Sequence, residues 1–230
     1  MVANEEQWDY SPEKGPEHWK DLSQDFAQAS QYPYQSPISL VHEKTSKFEK
    51  QLELHYQVAD FYEKEIFPTT HLVPANRTNF ILLEDGPFYL TDIHFHKPSE
   101  HLIDHLQEDI EFHFVHQNEK QEVVVLGVLF HLNDDKTQFY NKMTEKDWDL
   151  SEKKHTFDPG SFFSDQAHFF QYLGSLTTPP TNGPVQWFVF DGVGEMSRKF
   201  LTNFHLHVKQ NARPLQALNQ RNICWGNLSN

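Results

Sequence analysis

The chain has 230 residues, a length that one β-rich domain commonly takes, and 20 Phe, 8 Tyr and 5 Trp supply bulk for a core although only 37% of residues are hydrophobic. Acidic residues number 33 against 19 basic ones, and the formal net charge of −14 repels nucleic acid and anionic membrane and reads as a solvated exterior. The single cysteine, Cys224, precludes an intrachain disulfide, and no apolar run approaches the ~20 residues that span a bilayer.

The amino-terminal MVANEEQWDYSPEKG carries acidic residues and no apolar h-region, so it does not read as a signal peptide. With the lone thiol this predicts a cytoplasmic protein, although a secreted protein trimmed of its leader would read the same way. Strands are expected at QLELHYQV (51–58), FYLTDIHFH (88–96), DIEFHFVH (109–116), EVVVLGVLFHL (122–132) and PVQWFVF (184–190), each rich in β-branched and aromatic residues. Turn signals such as EDGP (84–87) and HQNEK (116–120) stand between several of them. Helical spacing is scarcer and predicts helices in DDKTQFYNKMTEKDW after Asn133 and in GEMSRKFLTNF (194–204). No repeat or linker divides the chain, so a single, mainly β domain over residues 1–230 with a few peripheral helices is expected.

Six of the 15 histidines fall within the 25 residues 92–116. A strand's period of two places Asp92, His94 and His96 on one face, with Ile93 and Phe95 on the other, and groups Glu111, His113 and Val115. Three imidazoles with a free fourth position form a catalytic zinc arrangement, whereas structural zinc usually takes four ligands with thiolates, which one cysteine cannot supply. Asp92 and Glu111 each precede a candidate ligand by two residues and are placed to accept the proton of its second ring nitrogen. Chance His-x-His pairs are unsurprising in so histidine-rich a chain, and alternation does not fix which strands are neighbours. His113 alone is evenly balanced between ligand and core. His101, His105 and His116 read as turn, surface or partly buried side chains.

HFHKPSEH followed by EFHFVH resembles the zinc-binding block of the α-class carbonic anhydrases, especially bacterial ones. WDYSPEKGPEHW (8–19), QSPISL (35–40), LGVLF (126–130), YLGSLTTPP (172–180), VQW (185–187) and NARPLQALNQR (211–221) resemble further blocks of the family in the same order. The resemblance implies a central, twisted, mostly antiparallel sheet with short peripheral helices. It implies one zinc per chain on His94, His96 and His113, supported by Asp92, Glu111 and the backbone of Asn219. Thr177 would accept a hydrogen bond from zinc-bound hydroxide and donate its own proton to Glu100. Thr178 would touch bicarbonate, and Val115, Val125, Leu176, Val185 and Trp187 would form the apolar wall for carbon dioxide; ordinary core packing is the alternative for these five.

The implied activity is reversible hydration of carbon dioxide to bicarbonate and a proton, by attack of hydroxide whose formation the zinc favours. Partners would be these small molecules, with no nucleic acid or membrane, and a homodimer is allowed. A catalytically silent binding module and a zinc esterase are the rival readings; silent relatives typically lose a zinc histidine, and all three are present.

The sequence departs from the family at four places. Asp92 replaces a glutamine, Thr181 stands where secreted members carry a cysteine, and Asn182-Gly183-Pro184 lacks a common acidic residue. Arg77 aligns with the histidine that shuttles protons, and an arginine does not release its proton in a protein.

Overall fold

The computed structural model describes residues 8–47, 52–67, 69–133, 138–139, 143–144, 153–164, 167–198 and 210–228. Alternating β-branched and aromatic residues form long strands here because the central strands carry an apolar cluster on each face of the sheet. Among the described residues a 13-stranded sheet runs, along its main path, through Lys154–Phe157, Ala59–Ile66, Thr69–Pro74, Gly86–His96, Ile110–Gln117, Val123–Leu132, Val185–Phe190, His168–Gly174, Cys224–Asn227 and Ser46–Lys47. Most neighbours are antiparallel. Val123–Leu132 is parallel to Val185–Phe190 and to Gly194–Met196, and Cys224–Asn227 is parallel to Ser46–Lys47. The sheet is therefore mixed, with antiparallel pairs in the majority, as expected.

One face carries the larger core, including Phe88, Leu90, Ile93, Phe95, Phe112, Phe114, Leu126, Phe130, Phe162 and Phe188, all buried. Phe162 meets the edges of Phe112 and Phe114 with ring centroids 5.2 Å away in each case, a favourable aromatic geometry. Each such side chain contributes roughly 1.5–3 kcal/mol by leaving water. The opposite face carries a second cluster built from Val125, Leu129, Phe170, Tyr172, Val185, Trp187 and Val189.

A register shift between Leu90 and Asp92 interrupts the pairing of Gly86–His96 with Ile110–Gln117, where Leu90 lies opposite His116 but Asp92 lies opposite Val115. The extra residue, Thr91, donates its hydroxyl to the Val115 carbonyl (3.0 Å). Such a bulge exchanges the two faces for everything beyond it. Phe88 and Leu90 thus share a core with Ile93 and Phe95 despite their opposite parity, and Asp92, His94 and His96 turn to the other face. Unbroken alternation had accounted only for the residues after the bulge.

The expected helices are borne out only at Arg198 among the described residues. Gln138–Phe139 and Met143–Thr144 pair as antiparallel strands, and the rest of the segment after Asn133 lies outside the described residues. Gly194–Met196 adds a strand beside Phe130–Leu132, whose backbone groups recruit it into the ladder, while 199–204 lie outside the described residues. The α-helices among the described residues are short: Trp19–Leu22 and Gln24–Ala29, the latter capped by Ser23, whose hydroxyl accepts the Phe26 N–H at 3.2 Å.

Candidate metal centre

His94 lies directly opposite His113, and His96 opposite Glu111, so two adjacent strands deliver three imidazoles to one spot. Ring centroids are 5.3 Å apart for His94–His96 and for His94–His113, and 4.7 Å for His96–His113. Their candidate ligand nitrogens all lie within 4.8 Å of one another. The convergence that alternation alone left open is thus supplied by strand pairing.

Hydrogen bonds assign the free nitrogen of each ring. His94 donates Nδ1–H to Asp92 Oδ2 (2.6 Å), His96 donates Nδ1–H to the Asn211 carbonyl (2.8 Å), and His113 donates Nε2–H to Glu111 Oε1 (3.0 Å). Nε2 of His94, Nε2 of His96 and Nδ1 of His113 remain as lone-pair donors, and His96 Nε2 is buried without a hydrogen-bond partner. A buried ring nitrogen with an unsatisfied lone pair costs free energy unless something accepts it, and a cation does so. Burial drives the His94 pKa down to about 3 against the opposing pull of Asp92, and it lowers that of His96 as well. Both rings are therefore neutral at physiological pH, the form a metal requires.

The two carboxylates are anchored differently. Glu111 is fully buried; its Oε2 accepts the backbone N–H groups of Glu100 (2.9 Å) and His101 (2.8 Å), and its Oε1 accepts from His101 Nδ1 (2.7 Å) as well as from His113. Burial raises the Glu111 pKa, but the His101 and His113 imidazoles outweigh it and hold the carboxyl well below its usual range. A Cβ at Gly127 would stand 2.8 Å from Glu111 Oε1, so a glycine is needed opposite this carboxylate. Asp92 accepts His94 and, on both oxygens, the Nδ1–H of His71 (2.8 Å each).

Asn219 is placed elsewhere than expected. Its amide donates to the Pro33 carbonyl (2.6 Å), and Asn211 supplies the backbone acceptor for His96. The Asn211 side chain is itself fixed, accepting from Lys97 N and donating to the Phe95 carbonyl. A backbone acceptor leaves no side-chain signature, so the carboxy-terminal segment alone did not identify it.

Glu100 and Thr177 are both buried. Glu100 Oε1 accepts the Arg213 N–H (2.8 Å) and Oε2 has no hydrogen-bond partner, so the expected Thr177–Glu100 bond is not formed among the described residues. Thr177 and Thr178 occupy the turn before Val185–Phe190, where Thr181 N–H donates to the Thr178 carbonyl (2.9 Å). Val115, Val125, Leu176, Val185 and Trp187 belong to one apolar cluster, and the Trp187 ring lies 4.9 Å from that of His113. These five side chains pack as core, and Trp187 is the one whose ring contact with a candidate ligand is described.

Arg77 is exposed, paired with Glu119 (2.9 Å), and its guanidinium lies 4.3 Å from the centre of the Tyr89 ring. His101 and His116 are fully buried, not surface groups. His101 bridges Glu111 and the Tyr172 hydroxyl (2.7 Å), and His116 bonds Tyr56 (2.7 Å); His105 is exposed in a turn with φ 69°.

Comparison with known proteins gives a consistent result. The profile described as eukaryotic-type carbonic anhydrase matches residues 14–226. A carbonic anhydrase of Nostoc sp. is 31% identical over 232 residues, covering 93% of this chain and 84% of that protein. The solved structure of the alpha-carbonic anhydrase from Thermovibrio ammonificans with sulfanilamide superposes with a TM-score of 0.81 at 31% identity, covering 94% of this chain and 98% of its own. Dioscorin complexed with ascorbate gives 0.84 at 23% identity, covering 97% and 99%, a likeness of fold alone.

Proposed function

The chain belongs to the eukaryotic-type carbonic anhydrase family, and from that premise we propose that it hydrates carbon dioxide reversibly to bicarbonate at one zinc held by His94, His96 and His113. The observation that carries this reading is the set of three ring nitrogens left free by Asp92, Asn211 and Glu111, with His96 Nε2 buried and unpartnered. Three neutral imidazoles leave zinc its full charge, and bound zinc supplies Lewis acidity that makes a water ligand a nucleophile near neutral pH.

The remaining tasks fall to this chain's own residues. Asp92, the Asn211 carbonyl and Glu111 keep each imidazole in its ligand tautomer. Glu100 Oε2 offers a buried acceptor for the hydroxyl proton of Thr177, and Thr177 then presents a lone pair toward the reacting oxygen. Val115, Val125, Leu176, Val185 and Trp187 offer carbon dioxide an apolar surface, which suits a gas that hydrogen-bonds weakly. Thr178 is assigned the contact to bicarbonate in this reading.

We also read residues 1–230 as one domain and the lone Cys224 as fitting a reducing compartment. No helix among the described residues is long and apolar enough to cross a membrane. Stopped-flow carbon dioxide hydration on metal-analysed protein, beside a chelator-stripped control, tests the reading. Hydration that vanishes on stripping and returns with zinc supports it. Hydrolysis of activated esters without carbon dioxide hydration would favour the esterase reading instead.

A further inference from the structure

His71 lies outside the three-imidazole set yet is tied to it. Leu72 pairs with Ile93 across Thr69–Pro74 and Gly86–His96, and both side chains are buried in the larger core. Alternation therefore sends His71 to the face that holds Asp92 and His94. Its Nδ1–H reaches both Asp92 oxygens at 2.8 Å, and its ring lies 4.8 Å from that of His94 at an interplanar angle of 30°.

The two supporting carboxylates show why this contact matters. Glu111 is fixed by two backbone N–H groups besides its imidazoles, so its orientation does not depend on any one side chain. Among the described residues Asp92 has no backbone donor on its carboxylate; only the His94 and His71 rings hold it. Without His71, Asp92 would keep one partner, the ligand it is meant to orient, and would rotate with it.

We propose that His71 is a positioning residue for the metal centre: its Nδ1–H clamps the Asp92 carboxylate, and the clamped carboxylate holds His94 in the tautomer and orientation that present Nε2 to zinc. The inference rests on the metal-centre reading given above. It adds a residue two strands away from His113 and 21 positions before the carboxylate it holds.

The test is zinc affinity of the apoprotein, measured by competition with a chromophoric chelator, for wild type, His71→Ala, His71→Phe and His71→Asn. Asparagine places an amide N–H close to the position of the imidazole Nδ1–H, whereas phenylalanine keeps the ring and loses the donor. The expected result is zinc binding weakened by about 10-fold or more in the Ala and Phe variants and by less than about threefold in Asn. Apoprotein melting temperatures recorded alongside separate loss of affinity from loss of folding, and the Phe and Asn pair decides if Ala does not fold. Affinity lost equally in Phe and Asn, or unchanged in all three variants, overturns the positioning role. A wild-type protein that binds no zinc, or whose binding survives His94→Ala undiminished, overturns the metal-centre reading itself and the inference with it.

Discussion

His96 donates its Nδ1 proton to the main-chain carbonyl of Asn211, 2.8 Å away and 115 positions later in the chain, and its other nitrogen is buried with no hydrogen-bond partner. The carboxy-terminal segment thereby fixes the tautomer of a ligand on a central strand. It also leaves a lone pair that only a cation or another donor would satisfy.

One zinc per chain is the expected metal content. Alanine at His94, His96 or His113 should each lower it sharply, as read by elemental analysis of purified protein. Full occupancy in all three variants would remove the assignment.

Thr177→Ala should keep zinc but slow hydration by on the order of 2–4 kcal/mol in kcat/KM, because an orienting hydrogen bond is lost at the reacting oxygen. Thr177→Ser, which retains the hydroxyl, should keep most of the activity. Unchanged efficiency in the alanine variant would place Thr177 outside the reaction.

Gly127→Ala inserts a methyl group where a Cβ would stand 2.8 Å from Glu111 Oε1. The carboxylate must shift away from His113 and His101, and zinc affinity should fall about 10- to 100-fold, the usual effect of losing such support. Chelator competition measures it; an unchanged affinity would mean that the strand moves instead.

Arg77 is exposed and paired with Glu119, and a guanidinium stays protonated, so it does not relay protons. Proton export should therefore limit maximal turnover. Imidazole-type buffers should raise kcat with little change in kcat/KM, and Arg77→His should reduce that dependence. A flat response with fast turnover would point to a different relay.

His42 binds Asp104 through Nδ1 (2.7 Å) and Asp191 through Nε2 (3.0 Å), joining two distant segments. Burial lowers its pKa, but the hydrogen bonds to Asp191 and Asp104 outweigh it and raise the value above the ordinary 6.5. The folded state thus holds this proton more tightly than the unfolded chain does. The stabilisation is complete below 6.5 and is lost as pH rises through the folded value. The Tm difference between wild type and His42→Gln should shrink as pH rises above 6.5. A difference independent of pH would show that the ring contributes packing alone.

Much of this was legible in the sequence for local reasons. Period-two alternation located the strands around His94, His113 and Trp187, and the two-residue spacing of Asp92 and Glu111 from their imidazoles survives as two hydrogen bonds. What was not legible is non-local or lies in the backbone. Asn211 acts through a carbonyl that every residue possesses, which is why Asn219 served equally well in the reading. His71 meets Asp92 only because two strands pair, and His101 is buried only because Glu111 and Tyr172 lie on either side of it. The segments expected to be helical carried suitable spacing, but a neighbouring strand offered Gly194–Met196 backbone partners that local preference does not encode.

The bulge at Thr91 is one residue of slack in the chain. Without it Leu90, Asp92 and Ile93 would follow in plain alternation, so Leu90, Ile93 and Phe95 would stay in the phenylalanine-rich core and Asp92, His94 and His96 would stay on the other face. A residue lost at this point is absorbed as a straightened strand, whereas one gained or lost between His94 and His96 would split the imidazole pair across the sheet. Tolerance to a change of length thus sits at this one joint of the strand.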